Sequence, residues 1–369
     1  MFTKNKAFNF NIDEYQRLFS FYGYIPFIFS YCFAKNYLRF GAIAFSDQEE
    51  WLSFVSKKKL GASLKEGVII YGHKKNYLNF YKGVYGTIDS IRSLTSMILS
   101  SDFNKKTIEK YLGLLDRFRD LYRKTEFFFT DDVFANQDKY PDFKDNFKTF
   151  EKLKLDGRKF LNELFYSEKP FFVDVLTAVA KKKNVNPNNL LSYTLDELMD
   201  LFNGNQVDQS TIQKREQAYL FYIARGKIKI ACGEDAKELI HNIRESRNNT
   251  QVLKGVIASQ GKVVAKAYVI KVSMKNLSSI SKVIDEMNQG DVLIVESTEP
   301  SVIQACKKAS AILTNQGGMM SHAAIVAREF KIPCIVGLGN ATNLINTGDL
   351  IEVDANAGVV KIIKKVDEK

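Results

Sequence analysis

The chain has 369 residues, enough for two domains with separate cores, and an ordinary globular composition enriched in aromatics by 28 Phe and 17 Tyr. Its net charge of +11 is dispersed: 14 Lys/Arg face 11 Asp/Glu from Gln251 onward, leaving 39 against 31 before it, and Lys57–Lys59 and Lys181–Lys183 are the only runs of three. Scattered lysines describe a solvated helical surface better than a nucleic-acid interface, though a face for an anionic substrate or an acidic partner protein is compatible with them. Cys32, Cys232, Cys306 and Cys334 are isolated, with no CxxC spacing, and the histidines are His73, His241 and His322. That set argues against a structural zinc site or any other metal site, and for a reducing, cytoplasmic setting.

Taken in order, the first hundred residues carry no chemical motif. Ile12 to Phe21 and Asp47 to Phe54 read as amphipathic helices, the second capped by Ser46 or Asp47, and Gly67 to Tyr71 as a short strand. Leu18 to Phe33 is apolar but interrupted by Ser20, Gly23, Pro26 and Ser30, so it reads as core and not as a membrane span. From Asn104 helices dominate. Ile108, Leu112, Leu115, Phe118 and Tyr122 form one apolar stripe, and residues 157–166 and 170–182 continue in that style. Asn186-Pro187 is an N-cap followed by Pro at the first helical position, and Thr194-Leu-Asp-Glu197 is a capping box. Another helix is expected from about Ser210. Residues 219–232 then alternate around Arg225-Gly226 as a β-hairpin, and Glu234 to Arg247 is a last helix.

Arg247-Asn-Asn-Thr-Gln251 is the best linker candidate; its five residues, fully extended, reach roughly 17 Å. The expected domains are therefore 1–250, mainly helical, and 251–369. Beyond the linker, strands are expected on both sides of Gly261, at Asp291 to Val295, at Gly348 to Asp354 and at Gly358 to Ile363, with a helix at Ser281 to Asn288. A fragment from about Leu253 to Lys369 is of common domain size and is expected to be autonomous.

Ala309 to Glu329 is the chemically informative stretch. An apolar strand-like run is followed by polar residues, Gly317-Gly318, Ser321 as N-cap, and His322 in the first turn of an Ala/Ile/Val-rich helix. The positive end of a helix dipole disfavours imidazolium, so a histidine there tends to keep a lone pair and act as a nucleophile near pH 7. The same unpaired N–H groups would receive a transferred phosphoryl group, and the glycines would let the backbone approach it. On position alone a capping role for this histidine is the commoner outcome.

Thr314, Gly317-Gly318, Ser321 to Glu329 and Ile332 to Gly337 resemble the phosphohistidine signature of the phosphoenolpyruvate-utilising enzymes, which include phosphoenolpyruvate synthase, pyruvate phosphate dikinase and rifampin phosphotransferase. The resemblance runs from about Gly255 to Ile363, with Thr298 and Pro300 also matching; Val185 to Arg215 looks like the helical stretch that precedes this domain. It implies a multidomain α plus α/β protein, a helical region followed by a swivelling β/β/α domain. In that family the matching histidine is phosphorylated, which makes His322 the phosphocarrier, with Thr314, Gly317, Gly318 and Ser321 as phosphate-binding residues. Arg328, about 240° round the helix from His322, is expected to serve docking against a partner domain or a local ion pair with Glu329. Met320 departs from the Thr often found before Ser-His. No ATP-grasp pattern is recognisable in the first 250 residues, and no phosphoenolpyruvate barrel is expected. The resemblance therefore implies a phosphotransferase component with no cofactor of its own, taking its phosphoryl group from ATP or phosphoenolpyruvate on a separate subunit, with Mg²⁺ and ATP at a partner ATP-grasp protein, and passing it to a small-molecule acceptor. The rival reading is a non-catalytic regulatory module derived from such enzymes.

Overall fold

The computed structural model describes residues 8, 10–127, 139, 142–245, 252–271, 280–298, 302–318 and 321–366. Its contacts divide the chain into two compact units. One comprises Tyr24–Leu239 with the described residues before Gln16. The other comprises Gln16–Gly23 and Ile240–Lys369, so a short N-terminal segment, most of strand β1 (Tyr15–Tyr22), belongs with the C-terminal part. The linker expected at Arg247–Gln251 lies outside the described residues.

The first unit is largely helical. It contains α1 (Phe27–Asn36), α2 (Lys57–Tyr71), α3 (Lys74–Ser100), α4 (Lys105–Phe127), α5 (Phe143–Phe165), α6 (Phe171–Lys183), α7 (Pro187–Leu190), α8 (Leu195–Asp200) and α9 (Gln209–Gln217). The apolar stripe of α4 is buried at all five positions, as its spacing requires. Antiparallel strands β2 (Ala42–Ser46), β3 (Glu50–Ser56), β4 (Tyr219–Ala224) and β5 (Lys227–Cys232) lie in the order β3-β2-β4-β5. The hairpin of β4 and β5 turns at Arg225 and Gly226, both with positive φ, the conformation a two-residue primed turn demands. Aromatic rings fill the space between helices and sheet: Phe27 meets Tyr219 at 5.2 Å and Phe221 at 5.0 Å between ring centroids.

Three expectations about the first hundred residues are corrected. Tyr15–Tyr22 and Glu50–Ser56 are strands and not helices, and Gly67–Tyr71 is the end of helix α2 and not a strand. Asp47 misled because its side chain does cap backbone N–H groups, those of Glu49 and Glu50 at 2.9 and 3.0 Å. It does so in the turn between β2 and β3, where the Asp47 N–H also donates to the Glu50 carbonyl. Strand β3 is buried from Glu50 to Val55, so no alternation marked it.

The capping box at Thr194 forms as expected, with both reciprocal hydrogen bonds present. Its Glu197 has a second duty, holding Arg215 bidentately at 2.7 and 2.9 Å. Burial pushes the Glu197 carboxyl up, but the bonds from Arg215 and the Thr194 N–H outweigh it and hold the group below the usual carboxylate range. A depressed carboxyl stabilises the fold above its unfolded pKa of about 4.3, and that contribution is lost as pH falls through the folded value. Glu197→Gln should therefore cost about 1–3 kcal/mol at pH 7 in urea unfolding, with the gap to the parent protein closing below pH 4. A gap independent of pH would show that Glu197 acts only through shape.

The second unit is a mixed eight-stranded sheet in the order β6-β13-β12-β8-β9-β10-β11-β7. Its strands are β6 (Val252–Lys254), β7 (Val256–Ser259), β8 (Lys262–Ile270), β9 (Val292–Val295), β10 (Ala311–Thr314), β11 (Cys334–Val336), β12 (Leu350–Asp354) and β13 (Val359–Lys364). Strands β8 to β11 run parallel, and the flanking strands pair antiparallel to them. Helix α10 (Glu234–Glu245) crosses the division between the units; α11 (Ile280–Asp285), α12 (Ile303–Lys308), α13 (His322–Phe330) and α14 (Ala341–Leu344) follow it.

Strand alternation splits this core in two. Leu293, Val295, Ile312, Cys334 and Val336 pack with Ala323, Ala324, Val326 and Ala327 of α13. Val292, Ile294, Ala311, Leu313 and Ile335 pack on the opposite face with Ala341 and Ile345. The chain is thus a multidomain α plus α/β protein, with α13 laid against the parallel strands. Among the described residues no helix is long and apolar enough to cross a membrane.

Candidate functional site

Parallel strands β9 and β10 end side by side, and the loops leaving them build the site. Val295 pairs with Thr314 at the last register position of the two strands. The β10 loop continues through Asn315 to Gly318, and the chain re-enters regular structure at Ser321, the N-cap of α13, whose hydroxyl accepts from the Ala324 N–H at 3.3 Å. His322 is therefore the first residue of the helix, where backbone N–H groups lack helical acceptors. Its ring is partly exposed, and Nδ1 lies 3.1 Å from Oγ1 of Thr298, a buried residue just beyond β9. One ring nitrogen is thus tied back to the neighbouring strand end.

Gly317 and Ser321 are brought into direct contact. Gly317 has φ +115°, and a Cβ added there would stand 2.9 Å from the Ser321 Cβ, so only glycine lets the loop close on the helix start. The Gly318 carbonyl accepts from the Ser321 N–H at 2.9 Å. Thr314 is fully buried, and its hydroxyl donates to the Gln316 carbonyl at 2.5 Å, bracing the loop from beneath. Arg328 is exposed in the last turn of α13, away from the His322 end. Met320 lies outside the described residues.

Nothing local in the sequence gives Thr298 its contact with His322 or marks out Asn315 and Thr342, and Glu296 is signalled only weakly. Asn315 is buried, donating to Glu296 at 2.7 Å and to Thr342 at 2.6 Å. The one signal in the sequence was a carboxylate directly after the fully apolar strand Val292–Val295, a place where a charge needs partners. Cysteine offers no rival nucleophile in this unit: burial pushes the Cys306 thiol up to about 11 and the Cys334 thiol to about 12. No group of three His, Cys, Asp or Glu side chains able to hold a metal occurs among the described residues.

A histidine at the open end of a helix, laid on parallel strands and held by one nitrogen, has its other ring nitrogen free of that contact. Residues 287–358 match the family described as "PEP-utilising enzyme, mobile domain". A probable phosphoenolpyruvate synthase of Pyrococcus horikoshii is 37% identical over 150 residues, which are 40% of this chain and 17% of that protein. One of Archaeoglobus fulgidus is 32% identical over 179 residues, 48% of this chain and 22% of the relative. One of Staphylothermus marinus reaches 51% over 80 residues, 22% of this chain and 10% of the relative. The chain thus covers less than a quarter of the length of these relatives. Among solved structures, the NMR structure of an Enzyme I protein is similar at a TM-score of 0.21 and 14% identity, covering 82% of this chain and 79% of that one. At that score the likeness supports no structural argument.

Proposed function

We propose that the chain is a phosphotransferase component in which Nε2 of His322 carries a phosphoryl group between a donor and an acceptor. The observation that carries this reading is the 3.1 Å contact between His322 Nδ1 and Thr298 Oγ1 at the N-terminus of α13. With Nδ1–H donating to the hydroxyl, Nε2 keeps its lone pair and is the nucleophile. Nε2 attacks phosphorus, the N–P bond forms, and the bond to the donor's leaving oxygen breaks with its electron pair. Positive charge developing on the ring is shared through Nδ1–H with Thr298. The transferred phosphoryl oxygens face the unpaired N–H groups of the first helical turn. An acceptor oxygen then attacks phosphorus, and the electron pair of the N–P bond returns to Nε2.

Mg²⁺ and ATP belong, in this proposal, to a separate ATP-grasp subunit, and the acceptor is a small molecule. Gly317, Gly318 and Ser321 shape the phosphoryl site, and Arg328 serves docking.

The direct test avoids the unknown donor. Phosphoramidate phosphorylates accessible imidazole nitrogens with loss of ammonia; His73 and His241 are exposed and supply the background rate, and His322, followed by peptide mass, should gain its acid-labile, alkali-stable phosphate about tenfold faster than either. Absence of that modification, with the protein folded, sinks the reading. Thr298→Val should slow this reaction about tenfold without abolishing it, because orientation and charge sharing are lost while the nucleophile stays. Nitrogen NMR of the ring should show the Nδ1–H population falling in the same variant; an unchanged tautomer would remove Thr298 from the mechanism.

A further inference from the structure

Glu296 ties together more of the His322 loop than any other side chain described. Its Oε2 accepts from Asn315 Nδ2 at 2.7 Å and from Arg17 Nη2 at 3.0 Å, and its Oε1 accepts from Gln316 Nε2 at 2.9 Å. The Gln316 N–H also donates to the Glu296 carbonyl at 2.9 Å. Arg17 completes a ring: its Nη1 donates to the Gly339 carbonyl at 2.7 Å, and the Gly339 N–H donates to the Asn315 carbonyl at 3.0 Å. Both charges are buried, the Arg17 side chain 4% and the Glu296 side chain 12% exposed. Arg17 lies in the Gln16–Gly23 segment that belongs with the C-terminal unit. Thr298, the partner of the histidine ring, is two residues beyond Glu296.

A buried ion pair is a poor way to gain stability, since an apolar pair of similar volume often does as well. What this one supplies is orientation and charge balance. The held residues lead directly into Gly317-Gly318, whose approach to Ser321 sets the room above the helix start. A lone carboxylate behind that loop would oppose an incoming phosphoryl anion, and Arg17 cancels it.

Building on the phosphocarrier reading of His322, we propose that Arg17 and Glu296 are positioning residues for phosphoryl transfer, so that the N-terminal segment is a working part of the C-terminal site. Neither touches the reacting atoms. Arg17→Met leaves an uncompensated carboxylate behind the loop, and Glu296→Gln leaves an uncompensated guanidinium. The double variant carries no charge there, and the Gln side chain still offers one oxygen to Asn315 or Gln316.

The test is the phosphoramidate reaction on the 369-residue chain, followed by the mass of the His322 peptide, with thermal unfolding as the folding control. Arg17→Met should react about tenfold more slowly, and Arg17→Met/Glu296→Gln should recover to within about threefold of the parent. A purely structural pair would show this pattern in the unfolding temperature and leave the rate of modification of the folded protein unchanged. If Arg17→Met does not fold, the charge-free double variant and Arg17→Lys, which keeps the charge but loses the fork, carry the comparison, Arg17→Lys being expected to react slower than the double variant. Parent-like rates in every variant, or a double variant slower than either single, overturn the proposal. A parent protein that takes no phosphate on His322 overturns the carrier reading itself, an outcome distinguishable because no variant is needed to see it.

Discussion

Replacing His322 with alanine should remove the fast-forming acid-labile phosphate altogether, leaving only the slow background at the exposed His73 and His241, because the nucleophile itself is gone. The fold should hardly notice. Ser321 remains as N-cap with its hydrogen bond to the Ala324 N–H, and the buried face of α13 is made by Ala323, Ala324, Val326 and Ala327, none of which changes. Thermal unfolding should therefore shift by no more than the equivalent of about 1 kcal/mol. His322→Asn is the companion variant, since its side chain can still reach toward Thr298 while offering no nucleophilic nitrogen. Persistence of the fast-forming phosphate in both variants would place the chemistry at His73 or His241 and end the assignment of His322.

Leu313→Ala should do the opposite, costing about 2–5 kcal/mol of stability with little change in chemistry. Leu313 is fully buried in β10, paired on one side with Ile294 and on the other with Ile335. Its side chain packs with Ala341, Ile345 and Ile351, on the face of the sheet away from α13. The cavity should therefore lower the urea midpoint strongly while the folded fraction still reacts at His322 within about threefold of the parent rate. Ile312→Ala, one residue earlier and on the α13 face, should impair both properties. Equal effects of the two substitutions on phosphorylation would mean that the faces of the sheet are not independent.

Much of the C-terminal unit was legible because its signals are local. The strand-like run before Thr314, the Gly317-Gly318 pair, Ser321 as cap and the apolar face of α13 all lie within about twenty residues, and each follows from the chemistry of one residue or of its close neighbours. The capping box at Thr194, the turn at Arg225-Gly226 and the stripe of α4 were legible for the same reason. The first hundred residues were not. Strand β3 is buried on both faces and loses the alternation that marks a strand, while Asp47 makes the same side-chain bonds in a turn that it would make at a helix start.

That His322 opens a helix after a glycine-bearing loop follows from its neighbours, because capping and positive φ are local properties. What fixes that loop and that ring arises from long-range packing. Thr298 reaches His322 across 24 positions, Thr342 reaches Asn315 across 27, and Arg17 reaches Glu296 across 279. No periodicity or spacing encodes such pairings. They exist because parallel strands β9 and β10 end together and because Gln16–Gly23 packs into the same unit, and both depend on the burial of the whole sheet.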